Sequence, residues 1–233
     1  YWFMHHEIEF LIREIQYIYT HEKRNTDEIS DERFERFFES HTKINREIMA
    51  NAKSLADCTE ACKNTPYYEP LKKAENLDVE FFSISMILES FYYTALWRDI
   101  NTKVDKDQRE LFKMLVGSKI DALNLMWIYR GKKYFSFPEE LIFTYLIPIR
   151  YRISEEETKT LVRSEDTKMF LQRVRDTKYG KLFDGLENGV YPETNYRHMV
   201  RTNAKQVFVN HSKSLAAVYA FLYMKEFEAA NIK

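Results

Sequence analysis

Three short motifs in this chain recur at a single spacing. Ile8-Glu9-Phe10-Leu11 is matched 112 residues later by Ile120-Asp121-Ala122-Leu123, Asp27-Glu28-Ile29 by Glu139-Glu140-Leu141, and Thr65-Pro66-Tyr67 by Thr177-Lys178-Tyr179. A partial third copy, Phe227-Glu228-Ala229-Ala230-Asn231-Ile232, follows Ile120-Asp121-Ala122-Leu123-Asn124-Leu125 at a spacing of 107 residues. Loops of unequal length between copies would produce that difference. The spacing is too long for a solenoid unit of roughly 20–50 residues, so it predicts similar domains in series.

Composition makes those domains helical. Among 233 residues there are only 5 glycines and 5 prolines, too few turn formers for a many-stranded sheet. An apolar content of 45%, with 15% aromatic residues, can fill one large core or two modest ones. The 35 basic and 36 acidic residues nearly cancel, to a formal charge of −1. There is therefore no global field to recruit nucleic acid or an anionic membrane surface. No stretch approaches the ~20 apolar residues that span a bilayer; the longest, Leu215 to Met224, runs directly into Lys225-Glu226. Cys58 and Cys62 lie four apart on one helical face, where a disulfide would oppose helix geometry and buried thiols in a reducing compartment are expected. The chain starts and stops inside helical patterns without caps, so truncated ends are expected.

Apolar spacing of three and four marks the helices. Ile8, Leu11, Ile12, Ile15 and Ile18 form one stripe between Phe3 and His21, and acidic Asp27-Glu28 and Asp31-Glu32 precede Phe34, Phe37 and Phe38. Ile44–Ile48 and Leu55–Cys62 are shorter patterns, ended by Thr65-Pro66 because proline disfavours helix in the residue before it. Val79 to Trp97 and Lys106 to Tyr129 are the strongest helices, the latter with Gly117 in its middle and Arg130-Gly131-Lys132-Lys133 at its end. Ser136-Phe137-Pro138-Glu139 and Ser154-Glu155-Glu156-Glu157 read as capping boxes, and Ser164 as a further cap. Tyr179-Gly180 and Asn188-Gly189 mark turns, Tyr191 to Asn203 is the least periodic stretch, and helix resumes near Ser212.

Motifs for chemistry are weak. His5 and Glu9 share a helix face as two zinc ligands would, but no third ligand follows at a telling spacing. No cluster of glycines precedes a helix as a phosphate cradle requires. Arg130, Lys132 and Lys133 beside Tyr129 and Tyr134 could contact RNA, or could simply complement a helix C-terminus. Glu139-Glu140 and Glu155-Glu156-Glu157 sit at helix starts, where the dipole accounts for them. Glu9, Asp121 and Glu228 stand instead at equivalent places among apolar residues, and recurrence once per copy points to a structural role. Asp121 and Asn124 are expected to bond neighbouring elements of the second copy.

Taken in order, Ile120-Asp121-Ala122-Leu123-Asn124-Leu125, Ile128-Tyr129-Arg130-Gly131-Lys132-Lys133-Tyr134 and Ile147-Pro148 resemble the signature of the C subunit of V-type and archaeal-type rotary ATPases, the d subunit of eukaryotes. Thr65-Pro66-Tyr67-Tyr68 and Thr177-Lys178-Tyr179 resemble that family's Thr-x-Tyr step before each new domain. Glu89-Ser90-Phe91-Tyr92-Tyr93 resembles its acidic, double-aromatic helix, and Lys225 to Ile232 its late acidic-to-Asn motif. Two departures stand out: Ile12 occupies the place of Asn124 and Asn231, and the family's loop glycines are sparse.

The resemblance implies an all-α fold of repeated helical-bundle domains about a pseudo-threefold axis, funnel-shaped, divided here as the remainder of repeat one at 1–78, repeat two at 79–186 and the first part of repeat three at 187–233. It implies a non-catalytic central-stalk socket on the cytoplasmic side of the membrane, coupling the rotor shaft subunits to the membrane proteolipid ring for proton or sodium transport, with the membrane stator subunit as a further neighbour. No cofactor, metal, nucleic acid or small-molecule substrate is expected. Arg130, Lys132 and Lys133, with Arg13 and Lys225, are the expected partner contacts, and Glu9, Asp121, Asn124, Glu228 and Asn231 the repeated structural motif. The alternative from another class is an all-helical protein-binding scaffold unrelated to a motor; a helical metal-dependent enzyme is more remote.

Overall fold

In the computed structural model the described residues, 1–20, 32–77 and 80–232, form helices and turns, with no strand among them. The chain divides into two compact units, Tyr1–Tyr92 and Tyr93–Lys233. Asp27-Glu28-Ile29 and Asp31 lie outside the described residues, so that copy of the repeat is not followed further.

The first unit contains α1 (Trp2–Thr20), α2 (Glu32–His41), α3 (Arg46–Asn51), α4 (Leu55–Ala61), α5 (Tyr68–Leu77) and the start of α6 (Phe81–Lys103). The α1 stripe is buried at Ile8, Leu11 and Ile15 and packs against α4. Beside it Phe38 lies against the Phe3 and Phe10 rings. The Arg46 guanidinium covers Phe10 and Phe38 at 5.2 and 5.7 Å, a cation over two aromatic faces. Ser54 and Asp57 close a capping box at the start of α4. Cys58 and Cys62 are buried; burial pushes the Cys62 thiol up to about 12, against a hydrogen bond from Thr65, which leaves it unreactive.

The second unit is built on α7 (Lys106–Arg130), followed by α8 (Glu139–Tyr145), α9 (Glu155–Val162), α10 (Thr167–Arg175), two short 3-10 turns, α11 (Pro192–Asn210) and α12 (Leu215–Ile232). Helix α11 packs on both α7 and α12. Gly117 in mid-α7 permits a close approach: a Cβ there would stand 2.5 Å from the Tyr151 Cγ. The glycine is required by packing and is not merely tolerated.

Four local expectations are corrected. Helix α7 does not stop at Arg130-Gly131; it widens into a π-helical turn, Gly131–Phe135, closed by Ser136 in the left-handed region at φ 50°. Ser136 is thus the C-cap of that turn and not the N-cap of the next helix; α8 starts at Glu139 after Pro138 with no side-chain cap bond. The next helix is capped by Asp166, whose Oδ1 accepts the Met169 N–H at 2.7 Å, while Ser164 donates to the Thr160 carbonyl. Of the stretch Tyr191 to Asn203, all but the extended N-cap Tyr191 is regular helix within α11, whose buried edge includes Val200, Ala204 and Val207. So narrow and small a stripe hardly registers as amphipathic. The Ser154–Glu157 capping box is formed as expected.

Candidate functional site

Each unit turns on the same backbone step. The Thr65 hydroxyl donates to the Cys62 carbonyl at 2.7 Å and accepts the Tyr67 N–H at 3.2 Å. The Thr177 hydroxyl donates to the Val174 carbonyl at 2.7 Å and accepts the Tyr179 N–H at 3.1 Å. Threonine therefore ends one helix and fixes the direction of the residue two positions on, by local side-chain to backbone bonding. In both units that residue is a tyrosine whose ring enters the core.

Both phenols end on a carboxylate of the unit's long helix. Tyr67 donates to Glu7 Oε2 at 2.5 Å in the first unit, and Tyr179 to Asp121 Oδ2 at 2.9 Å in the second. The other Glu7 oxygen accepts the Thr42 hydroxyl at 2.7 Å. Asp121 gathers the N–H groups of Tyr151, Arg152 and Ile153 at 3.2, 2.6 and 3.2 Å. One turn along α7, the Asn124 amide donates to the Ile147 carbonyl at 3.0 Å while its oxygen accepts the Ile147 N–H at 2.9 Å. Asp121 and Asn124 together thus hold the segment that carries Ile147-Pro148 and leads into α9.

Electrostatics suit these groups to holding, not to proton transfer. Burial, with the neighbouring carboxylate, drives the Tyr67 and Tyr179 hydroxyls far above their ordinary value, so both remain donors. Burial raises the Asp121 carboxyl too, opposed by the N–H groups of Arg152 and Tyr151, the Tyr179 hydroxyl and the Ile153 N–H. Buried polar groups must be paired to be tolerated, and here the pairing joins distant segments.

The structure places the remaining singled-out residues elsewhere. Glu9, the counterpart of Asp121 by spacing, is exposed and lies 3.4 Å from His5 Nε2 and 3.2 Å from His6 Nδ1. Among the described residues no group of three or more His, Cys, Asp and Glu could hold a metal ion. Glu228 is exposed and accepts a bond from Lys225 at 2.7 Å. Asn231 falls in the last turn of α12, its side chain outside the described residues. Arg130 is paired with Glu193, and Lys132 donates to the Ser164 carbonyl at 2.7 Å; both cations serve within the unit. Lys133 is exposed on the π-helical turn beside exposed Tyr134. Arg13 is exposed and lies over the Phe10 ring.

Sequence reasoning missed Glu7 and Thr42, and quoted the two tyrosines without their role. A signal for Glu7 was present: it precedes Leu11 by four positions, on the α1 face that is buried, whereas Glu9 is two positions further round.

Helices held by buried carboxylate–tyrosine bonds define a class: an all-α protein of consecutive helical units whose paired polar groups serve the fold. Comparison gives this class its family. The chain belongs to the ATP synthase (C/AC39) subunit family, which matches residues 1–233. It is similar to the C subunit of the A-type ATP synthase of Pyrococcus abyssi, 25% identical over 191 residues covering 79% of this chain and 51% of the relative. It is also similar to the same subunit from Methanobrevibacter smithii, 23% identical with 79% and 50% covered, and from Methanosarcina barkeri, 28% identical with 60% and 37% covered. The chain spans about half the length of the curated relatives it matches most fully.

Proposed function

We propose that this chain is part of a non-catalytic central-stalk subunit of an A/V-type rotary ATPase, a socket that couples the rotor shaft to the membrane proteolipid ring. The family match along residues 1–233 carries the reading. In this reading the protein lies peripherally on the cytoplasmic face of the membrane; no described helix is long and apolar enough to cross one. Repeats at 1–78, 79–186 and 187–233 belong to the same reading. Transmitting torque requires a body that resists shear, and the Glu7–Tyr67 and Asp121–Tyr179 bonds support that by fixing helices to segments far along the chain. Close-packed aromatic cores add to the stiffness.

The test is co-purification of the full-length protein from its native membranes, followed by a low-salt chelator wash that releases the catalytic sector. The protein should be recovered with the catalytic sector, the ring or both, and the purified chain alone should hydrolyse no ATP. Recovery with neither would leave a helical scaffold in place of a motor part.

A further inference from the structure

Two glycines close the loop that leads into α11. Gly185 and Gly189 flank the second 3-10 turn, Leu186–Asn188, and both stand in the left-handed region, at φ 79° and 78°, where residues with a side chain are strained. The Gly185 carbonyl accepts the Asn188 N–H at 2.9 Å and the Val190 N–H at 3.0 Å, so a single oxygen holds both ends of the turn. The Gly189 N–H donates to the Leu186 carbonyl at 3.2 Å, the long end of the ordinary range.

Most asparagine amides of this chain are engaged. Asn45, Asn51, Asn101, Asn124, Asn195 and Asn203 each make a side-chain hydrogen bond. The exposed Asn188 amide makes none among the described residues, and a glycine follows it. Space around that glycine is open, since a Cβ on Gly189 would meet nothing within 4 Å. Asn64, Asn76 and Asn210 also make no such bond among the described residues, but Thr65, Leu77 and His211 follow them, and a side chain there crowds the backbone nitrogen.

We propose that Asn188-Gly189 is a site of spontaneous covalent modification, at which asparagine becomes isoaspartate and the entry to α11 loosens. The Gly189 nitrogen bonds to Asn188 Cγ, the bond from Cγ to the amide nitrogen breaks, and ammonia leaves with the Gly189 proton. Water then opens the cyclic imide. Attack at the side-chain carbonyl gives aspartate; attack at the main-chain carbonyl gives isoaspartate, whose backbone runs through Cγ and is longer by a methylene. The loop has no slack for that methylene, because Val190 packs directly on Gly185: a Cβ on the glycine would stand 2.9 Å from Val190 Cγ2. Lengthening the chain between them draws the Val190 N–H off the Gly185 carbonyl, just before the turn of α11 in which Glu193 pairs with Arg130.

The test ages the purified full-length protein in mildly alkaline buffer, with and without urea, and follows each asparagine by peptide mapping. Without urea, Asn188 should convert ahead of Asn64, Asn76 and Asn210, and an isoaspartate-specific carboxyl methyltransferase should label the product. Asn188→Gln, whose larger ring closes slowly, should lose the label. The converted protein, separated by anion exchange, should exchange the Val190 amide and those of the first turn of α11 faster than the parent does. Conversion at Asn188 no faster than at the other three, conversion only in urea, or unchanged amide exchange overturns the proposal. The readout involves no motor component, so its failure and failure of the rotor reading are separately visible.

Discussion

Asp121 collects three backbone N–H groups and one phenol in a nearly dry site, so its removal strands several donors together. Each unpaired buried group costs roughly 1–3 kcal/mol. Asp121→Ala is therefore expected to destabilise the chain by several kcal/mol in urea unfolding, and Tyr179→Phe, which deletes one bond, by about 1 kcal/mol. A midpoint unchanged in Asp121→Ala would show that the site takes up water freely. Gly117→Ala sets two effects against each other. Helix propensity favours alanine by about 1 kcal/mol, but overpacking against Tyr151 costs about 1–3 kcal/mol, and at 2.5 Å from Cγ the clash should win. In a Tyr151→Ala background the ring contacts go but the residue 151 Cβ stays 2.8 Å from the added methyl, so the cost should fall without vanishing, and a double-mutant cycle measures the difference. At this scale the sequence was readable where a residue type recurs, as Tyr67 and Tyr179 do. It misled where two similar residues lie close together. The 112-residue spacing selects Glu9, yet two positions along a helix turn a side chain to nearly the opposite face, and the bond belongs to Glu7.

Among the elements, α4 and α9 start with reciprocal caps. Asp57 lies below the ordinary carboxyl range because the N–H of Lys53 and the Ser54 hydroxyl bond to it, and Glu157 because of the Ser154 hydroxyl and N–H. Both values are lowered on folding. Their contribution is therefore complete above the unfolded values near pH 4 and is lost as pH falls through the lower folded ones. Removing both with Asp57→Asn and Glu157→Gln should lower Tm at pH 7, and the gap from the parent chain should narrow at pH 3. A gap that stays constant would mean that the carboxylate charges contribute nothing. Ser54-Leu55-Ala56-Asp57 and Ser154 to Glu157 carry their geometry in four consecutive residues, which is why local sequence reveals caps of this kind. The π-helical turn after α7 depends instead on distant contacts, among them Lys132 with the Ser164 carbonyl and Gly131 against Ile142. No window around Arg130-Gly131-Lys132-Lys133 contains that information, and the glycine reads as a stop. Ser136→Gly should relieve the left-handed backbone at φ 50° and raise stability by up to about 1 kcal/mol.

For the whole molecule, the all-α class was legible in the scarcity of glycine and proline, and the recurrence of Thr-x-Tyr identified the step on which each unit turns. The buried alanines of α12, Ala216, Ala217 and Ala220, were not legible, because a run as apolar as Leu215 to Met224 gives no indication of which side packs inward. The two phenol–carboxylate bonds share no partner, so the unfolding free-energy losses of Tyr67→Phe and Tyr179→Phe should add within about 0.5 kcal/mol in the double variant. A larger departure would mean that the two sites respond to each other.

Those bonds also bear on time. They join residues 60 and 58 positions apart, and loop-closure entropy depends only on the logarithm of loop length, so the chain meets nearly the same entropic barrier twice. A contact across so long a loop pairs late, after the intervening helices are in place, and its loss is felt mainly on the unfolding side of the barrier. Stopped-flow measurements on Tyr67→Phe and Tyr179→Phe should show faster unfolding with refolding nearly unchanged. Each phenol then acts as a clock on its unit, setting how long the unit stays closed more than how quickly it forms.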